Sequence, residues 1–146
     1  MTIPAGKTPA KLPDGRTLMR WAMALAYFAA GVLHIGDPAP FVSITPDWVP
    51  FPARVIFATG LCEIAGAVGL FIPATRKAAG AALALYAVCV FPANLKHAFY
   101  NIPAGGDTLS WWYHAPRLAL QPVLVWWALY CSSVVDWPFA RPPAKG

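Results

Sequence analysis

Four apolar stretches, each long enough to cross a lipid bilayer as a helix, constrain this chain more than any other feature. They run from Leu18 to Gly36, Pro52 to Ile72, Ala78 to about Phe99, and Pro116 to Val135. A helix needs about 20 mainly apolar residues to cross roughly 30 Å of hydrocarbon. The stretches are rich in Ala, Leu and Gly and show no sustained alternation, so they do not read as strands of a membrane barrel. They also lack the polar face that a helix of a soluble core requires. Of the 146 residues, 58% are hydrophobic and 12% charged, against about 25% charged in a soluble domain. The expected fold is all-α, an integral membrane protein built as an antiparallel bundle of four transmembrane helices.

This reading divides the chain into a flexible N-terminal tail (residues 1–17), a transmembrane domain (18–135) and a C-terminal tail (136–146). The first apolar stretch follows a mostly polar segment and has no small-x-small cleavage site after it. It reads as an uncleaved anchor. The net charge is +5, and its placement matters more than its size. Four crossings put both termini on one side together with the link between the second and third helices. That side carries Lys7, Lys11, Arg16, Arg20, Arg76, Lys77, Arg141 and Lys145, eight of the eleven basic residues. The other side carries Arg54, Lys96 and Arg117. The positive-inside rule then places both termini in the cytoplasm. No basic stripe interleaved with aromatics is present, so nucleic acid is not an expected partner. Cys62, Cys89 and Cys131 lie inside the predicted helices without a CxxC motif, as packing residues.

Two connections on the outer side are long. In "GDPAPFVSITPDWVPFP", Phe41, Ile44, Trp48 and Phe51 recur at helical spacing, as in a short piece lying among the headgroups. In "NIPAGGDTLSWWYHAP", Trp111, Trp112 and Tyr113 read as interfacial anchors.

The polar residues inside the apolar stretches fall at one height. Measured from cytoplasmic boundary marks at Arg20, Arg76, Lys77 and Asp136, His34 lies roughly 21 Å up, Glu63 roughly 20 Å, Gln121 roughly 22 Å, Asn94 roughly 25 Å and Arg117 roughly 28 Å. Every predicted helix therefore contributes a polar group to the outer half of the bilayer. Glu63 is the only glutamate of the chain. In hydrocarbon it must face inward and hold a proton or a partner, for which His34, Lys96 and Arg117 are the available cations. Arg117 could reach down about a turn and bind it in a bidentate manner. Arg117 and Gln121 share a helix face with His114, and Asn94 and His97 lie three apart.

The stretch "VCVFPANLKHAFYN", residues 88–101, belongs to this layer. Pro92 cannot donate to the Val88 carbonyl, which predicts a kink and a free backbone acceptor at the height of Asn94. Such a break is tolerated in a membrane only where protein or water covers it. The layer can glue helices together or surround a ligand or redox site. A metal centre is not expected: the three histidines form no close pair such as HxxxH, which also makes haem a weaker candidate than a quinone. Below the layer the chain is Ala, Gly, Leu, Val and Trp, with no polar lining for a water path, which disfavours a channel or a transporter.

The segments "AAGVLHIGDPAPF", "TPDWVPFP", "ATGLCEIAGAVGLFIPATRKAAG", "VFPANLKHA" and "RLALQPVLVWW" resemble the DoxX-like family of small four-helix membrane proteins, over about residues 16–130. Ala119 stands where the family often has a proline. The resemblance implies a bacterial cytoplasmic membrane and a redox-associated subunit, some relatives being named as small subunits of quinone-linked thiosulfate oxidation. It implies a site at Glu63, Asn94, Arg117 and Gln121, with His34 beside them and His97 near. In that reading Glu63 shuttles a proton while the others bind a quinone or similar small molecule. The partner would be another membrane or periplasmic redox protein or a second copy of the chain. The alternatives from the residues alone are an assembly protein and a small-molecule transporter.

Overall fold

The structure is a computed structural model, and it describes residues 13–103, 106 and 108–139. Lys7, Lys11, Arg141 and Lys145, with most of both predicted tails, lie outside the described residues. Among the described residues every regular element is helical: α1 (Gly15–Gly36), α2 (Ala39–Ile44), α3 (Pro52–Phe71), α4 (Arg76–Cys89), α5 (Phe91–Tyr100), α6 (Trp111–Ala119) and α7 (Gln121–Cys131).

The boundaries follow from local chemistry. α1 starts three residues earlier than the apolar run because the Asp14 carboxylate accepts from Thr17 N at 2.8 Å and caps the helix. Pro52 opens α3 at a position where no N–H is needed. α3 ends at Phe71 because Ile72 precedes Pro73 and is extended, with ψ 115°. Pro92 breaks the third apolar stretch: α4 stops at Cys89, Val90 forms a turn, and α5 resumes at Phe91. The fourth stretch differs most from expectation. It begins at Trp111, five residues early, and is divided at Leu120 into pieces of 9 and 11 residues. Pro116 and Pro122 both fall in it, and each removes one helix hydrogen bond.

Among the described residues three helices are long and apolar enough to cross a membrane: Gly15–Gly36, Pro52–Phe71 and the broken but continuous Arg76–Tyr100. Only 22%, 39% and 28% of their apolar windows are buried within the chain. Leu25, Leu85, Val88 and Phe57 are among the side chains left outside. This is the pattern of helices solvated by an apolar medium.

α1 packs on α3 and α7, and α4 packs on the same two, so the four close a ring. Its core is made largely of small side chains: Met23, Ala24, Ala67, Leu70, Ala79, Leu83, Ala84, Ala128 and Cys131. Small residues let backbones approach closely. The closest approach sets the site. A Cβ on Gly31 would lie 2.7 Å from the Gly60 carbonyl oxygen, and one on Gly60 would lie 2.9 Å from that of Gly31. This contact holds α1 against α3 one turn from His34 and Glu63. Gly80 serves α4 and α7 in the same way, since a Cβ there would meet the Ala128 carbonyl oxygen at 2.8 Å.

The basic residues at the α1 start are all engaged. Arg16 Nη2 meets Asp136 Oδ1 at 2.7 Å, and Nη1 donates to Ser133 Oγ at 3.2 Å. Arg20 Nε donates to the Cys131 carbonyl at 2.9 Å, and Arg76 Nε donates to that of Leu70 at 3.0 Å. Both carbonyls belong to helix C-terminal turns, where a cation compensates the helix dipole. At the other end Lys96 Nζ donates to the Thr45 carbonyl and to Asp47 Oδ1, each at 2.7 Å, and ties the loop after α2 to α5.

Candidate functional site

The six residues expected to form one layer meet as three pairs. The first lies between α1 and α3. Glu63 is buried, and its Oε2 lies 2.8 Å from His34 Nδ1. The same nitrogen lies 2.8 Å from the Ala30 carbonyl oxygen. A carbonyl oxygen only accepts, so Nδ1 carries a hydrogen, and one N–H cannot align with both oxygens. It follows the backbone, which leaves Glu63 Oε2 in ionic contact without an aligned hydrogen bond. Tyr86 of α4 stands near both Glu63 and Thr59. Phe41 of α2 stacks on His34, ring centroids 3.8 Å apart, and covers the pair from the connecting segment. Tyr86, Thr59 and Phe41 are not among the residues expected from sequence. Thr59 lies four residues before Glu63 on one helix face, a spacing that could have pointed to it.

The second pair joins the α4–α5 break to α7. Asn94 Nδ2 donates to Gln121 Oε1 at 3.2 Å, and Gln121 Nε2 donates to the Ala87 carbonyl. Asn94 and Gln121 are both buried. The carbonyl that finds a side chain from another helix is thus that of Ala87, one residue before the Val88 carbonyl expected from the sequence.

The third pair is Arg117 with His97. Glu63 does not take Arg117 as its partner, because His34 already occupies the near side of the carboxylate. Arg117 Nη1 donates to His97 Nδ1 at 2.8 Å. A guanidinium only donates, so Nδ1 accepts and the ring hydrogen sits on Nε2. That Nε2 is buried beside the backbone of Ile102 without an aligned hydrogen bond. His114 stands edge-on to His97 with centroids 4.7 Å apart, is 2% exposed, and has no partner on either nitrogen among the described residues. A metal ion fits this pair poorly, since His97 presents an N–H rather than a lone pair on Nε2. Among the described residues no three His, Cys, Asp or Glu side chains gather as a metal set.

Arg117 also lines an open groove of about 490 Å³ on the outside of α6 and α7, with Trp112, Tyr113, Pro116, Leu120, Val123, Leu124 and Trp127. The guanidinium carbon lies 5.8 Å from the Tyr113 ring centre. A second groove of about 550 Å³ lies between the loop after α2 and α5, lined by Trp48, Leu95, Lys96 and Phe99 among others. Glu63, His34, Asn94 and Gln121 line neither groove.

The sequence matches, over residues 23–132, the family described as a domain of unknown function, DUF8561. The chain belongs to that family. The matched span contains all six residues of the three pairs, along with Tyr86 and His114. No curated protein and no solved structure matches the chain.

Proposed function

We propose that this DUF8561 chain is a four-crossing antiparallel helix bundle of a bacterial cytoplasmic membrane, with both termini cytoplasmic and α6 and α7 together forming the fourth crossing. It would serve as a non-autonomous, redox-associated subunit. In the groove beside Arg117 it holds a lipophilic molecule whose head accepts hydrogen bonds, and the resemblance to the DoxX-like family makes a quinone the first class to test. The observation that carries this reading is the groove itself: seven apolar or aromatic side chains and one guanidinium, the latter backed by a buried histidine. The head would accept from Arg117, and the tail would lie along Leu120, Val123 and Leu124. Glu63, with His34, Tyr86 and Thr59 around it, is the group suited to carry a proton within the bundle, while Asn94 and Gln121 hold the break in place.

The test is purification in mild detergent, an optical spectrum with and without dithionite, and solvent extraction followed by mass spectrometry. Co-purified quinone that is lost in Arg117→Ala supports the reading, and a haem band would replace it with another cofactor. A second reading is favoured by the closed Asn94–Gln121–Ala87 chain, whose polar groups satisfy each other. In it the chain is a membrane assembly protein, and a stoichiometric partner pulled down without any small molecule would select it. Uptake into proteoliposomes above the level of empty vesicles would select the transporter reading instead.

A further inference from the structure

Arg117 differs from the other basic side chains packed into the protein. Arg16 and Lys96 each meet a carboxylate, and Arg20 and Arg76 each meet a carbonyl of a helix C-terminal turn. Arg117 is half-buried, its hydrogen bond is to an imidazole nitrogen, and its ring contact is to Tyr113. Among the described residues no carboxylate meets it. A charged group in a membrane-spanning segment is costly unless an opposite charge or water compensates it. A guanidinium only donates, so the N–H groups that His97 does not take are left for an acceptor in the groove.

Resting on the reading of the groove as a ligand site, we infer that its head position is built for an anion, and that its occupant is an anionic phospholipid bound through its phosphate by Arg117. Dimensions agree with charge. Ten residues separate Arg117 from Trp127, which at 1.5 Å per residue is about 15 Å, one leaflet of a hydrocarbon core of about 30 Å. A phosphate at Arg117 therefore places an acyl chain against Leu120, Val123, Leu124 and Trp127. Trp112 and Tyr113 stand on the far side of Arg117, where aromatic side chains sit among headgroups. The planar fork of a guanidinium fits two phosphate oxygens, which a neutral ligand with one carbonyl at that point does not supply.

The experiment uses the full-length protein, delipidated in mild detergent and titrated by native mass spectrometry. The four probes are phosphatidylglycerol, diacylglycerol (the same two chains without the phosphate), a short-chain quinone analogue and inorganic phosphate. Phosphatidylglycerol is expected to bind about tenfold more tightly than diacylglycerol, the size of one charge-assisted contact. Arg117→Gln should abolish that preference and Arg117→Lys should keep part of it. Arg54→Gln, which removes an exposed arginine lying over Phe51, should leave it unchanged. Should Arg117→Gln fail to fold, Val123→Trp fills the tail end of the groove without touching the charge, and it should weaken both lipids together. Equal binding of the two lipids, or competition by millimolar inorganic phosphate, overturns the inference. Binding of the quinone analogue without any phosphatidylglycerol preference overturns it while leaving the ligand-site reading standing. Lipid and quinone binding both insensitive to Val123→Trp removes both.

Discussion

Two histidine-centred regions of this molecule are built differently. At the α1–α3 contact His34 faces Glu63, so the base and the carboxylate compensate each other, with Tyr86 and Phe41 around them. At the α5–α6 contact His97 faces Arg117, and the pair carries a cation with no anion among the described residues. The first region sets a base beside a carboxylate, with Glu63 Oε2 short of an aligned hydrogen bond, and it lines neither groove. The second leaves buried imidazole nitrogens unpartnered and puts its guanidinium on the wall of a groove. A self-compensated pair can hold helices together without help. An uncompensated one has room for a counter-charge from outside the chain, which is why we propose a ligand at Arg117 rather than at Glu63.

The contrast can be broken by measuring stability in one detergent across a short series of variants. Glu63→Ala should have the largest effect, a loss of about 3–5 kcal/mol, because it strands a buried partner. The double variant Glu63→Leu with His34→Phe should recover most of that loss, since apolar replacement of a whole buried pair is often neutral. If the double variant is as unstable as Glu63→Ala, the pair does more than compensate charge. Gln121→Leu should come next, at about 1–3 kcal/mol, by leaving Asn94 and the Ala87 carbonyl without partners. His114→Phe should run the other way and raise the unfolding midpoint by the equivalent of about 1 kcal/mol, because two unpartnered nitrogens disappear. A clear loss in its place would mean that those nitrogens are satisfied in the membrane. Arg117→Ala should change stability least, by under about 1 kcal/mol, because the hydrogen bond lost to His97 Nδ1 is offset by removal of a cation with no carboxylate partner among the described residues, while its effect appears in ligand retention. A stability loss matching that of Glu63→Ala would erase the distinction between the two regions.

Three of the four expected long helices were legible because run length and hydropathy are properties of the chain alone, whereas the fourth stretch forms the two short helices α6 and α7. Pro92 announced the break after Cys89, since a missing N–H acts whatever surrounds it. The distance of each polar residue along its own helix could also be read, because rise per residue is nearly constant along a helix. Their partners were not. Height says nothing about rotation around a helix axis or about which helix stands alongside, so Arg117 was as good a candidate for Glu63 as His34. Only the Gly31–Gly60 approach decided between them, by bringing α1 onto α3 at the turn that carries both groups. Tyr86 and Phe41 stayed hidden for a related reason: in an apolar run an aromatic residue reads as lipid contact until its neighbours are known.

Length, apolar composition and proline positions thus determined by themselves that this is an all-helical chain with helices fit to cross a membrane, and where one of them breaks. The tertiary structure alone decided which buried charge is compensated and which is left open, because compensation depends on distance between helices that the linear order does not encode.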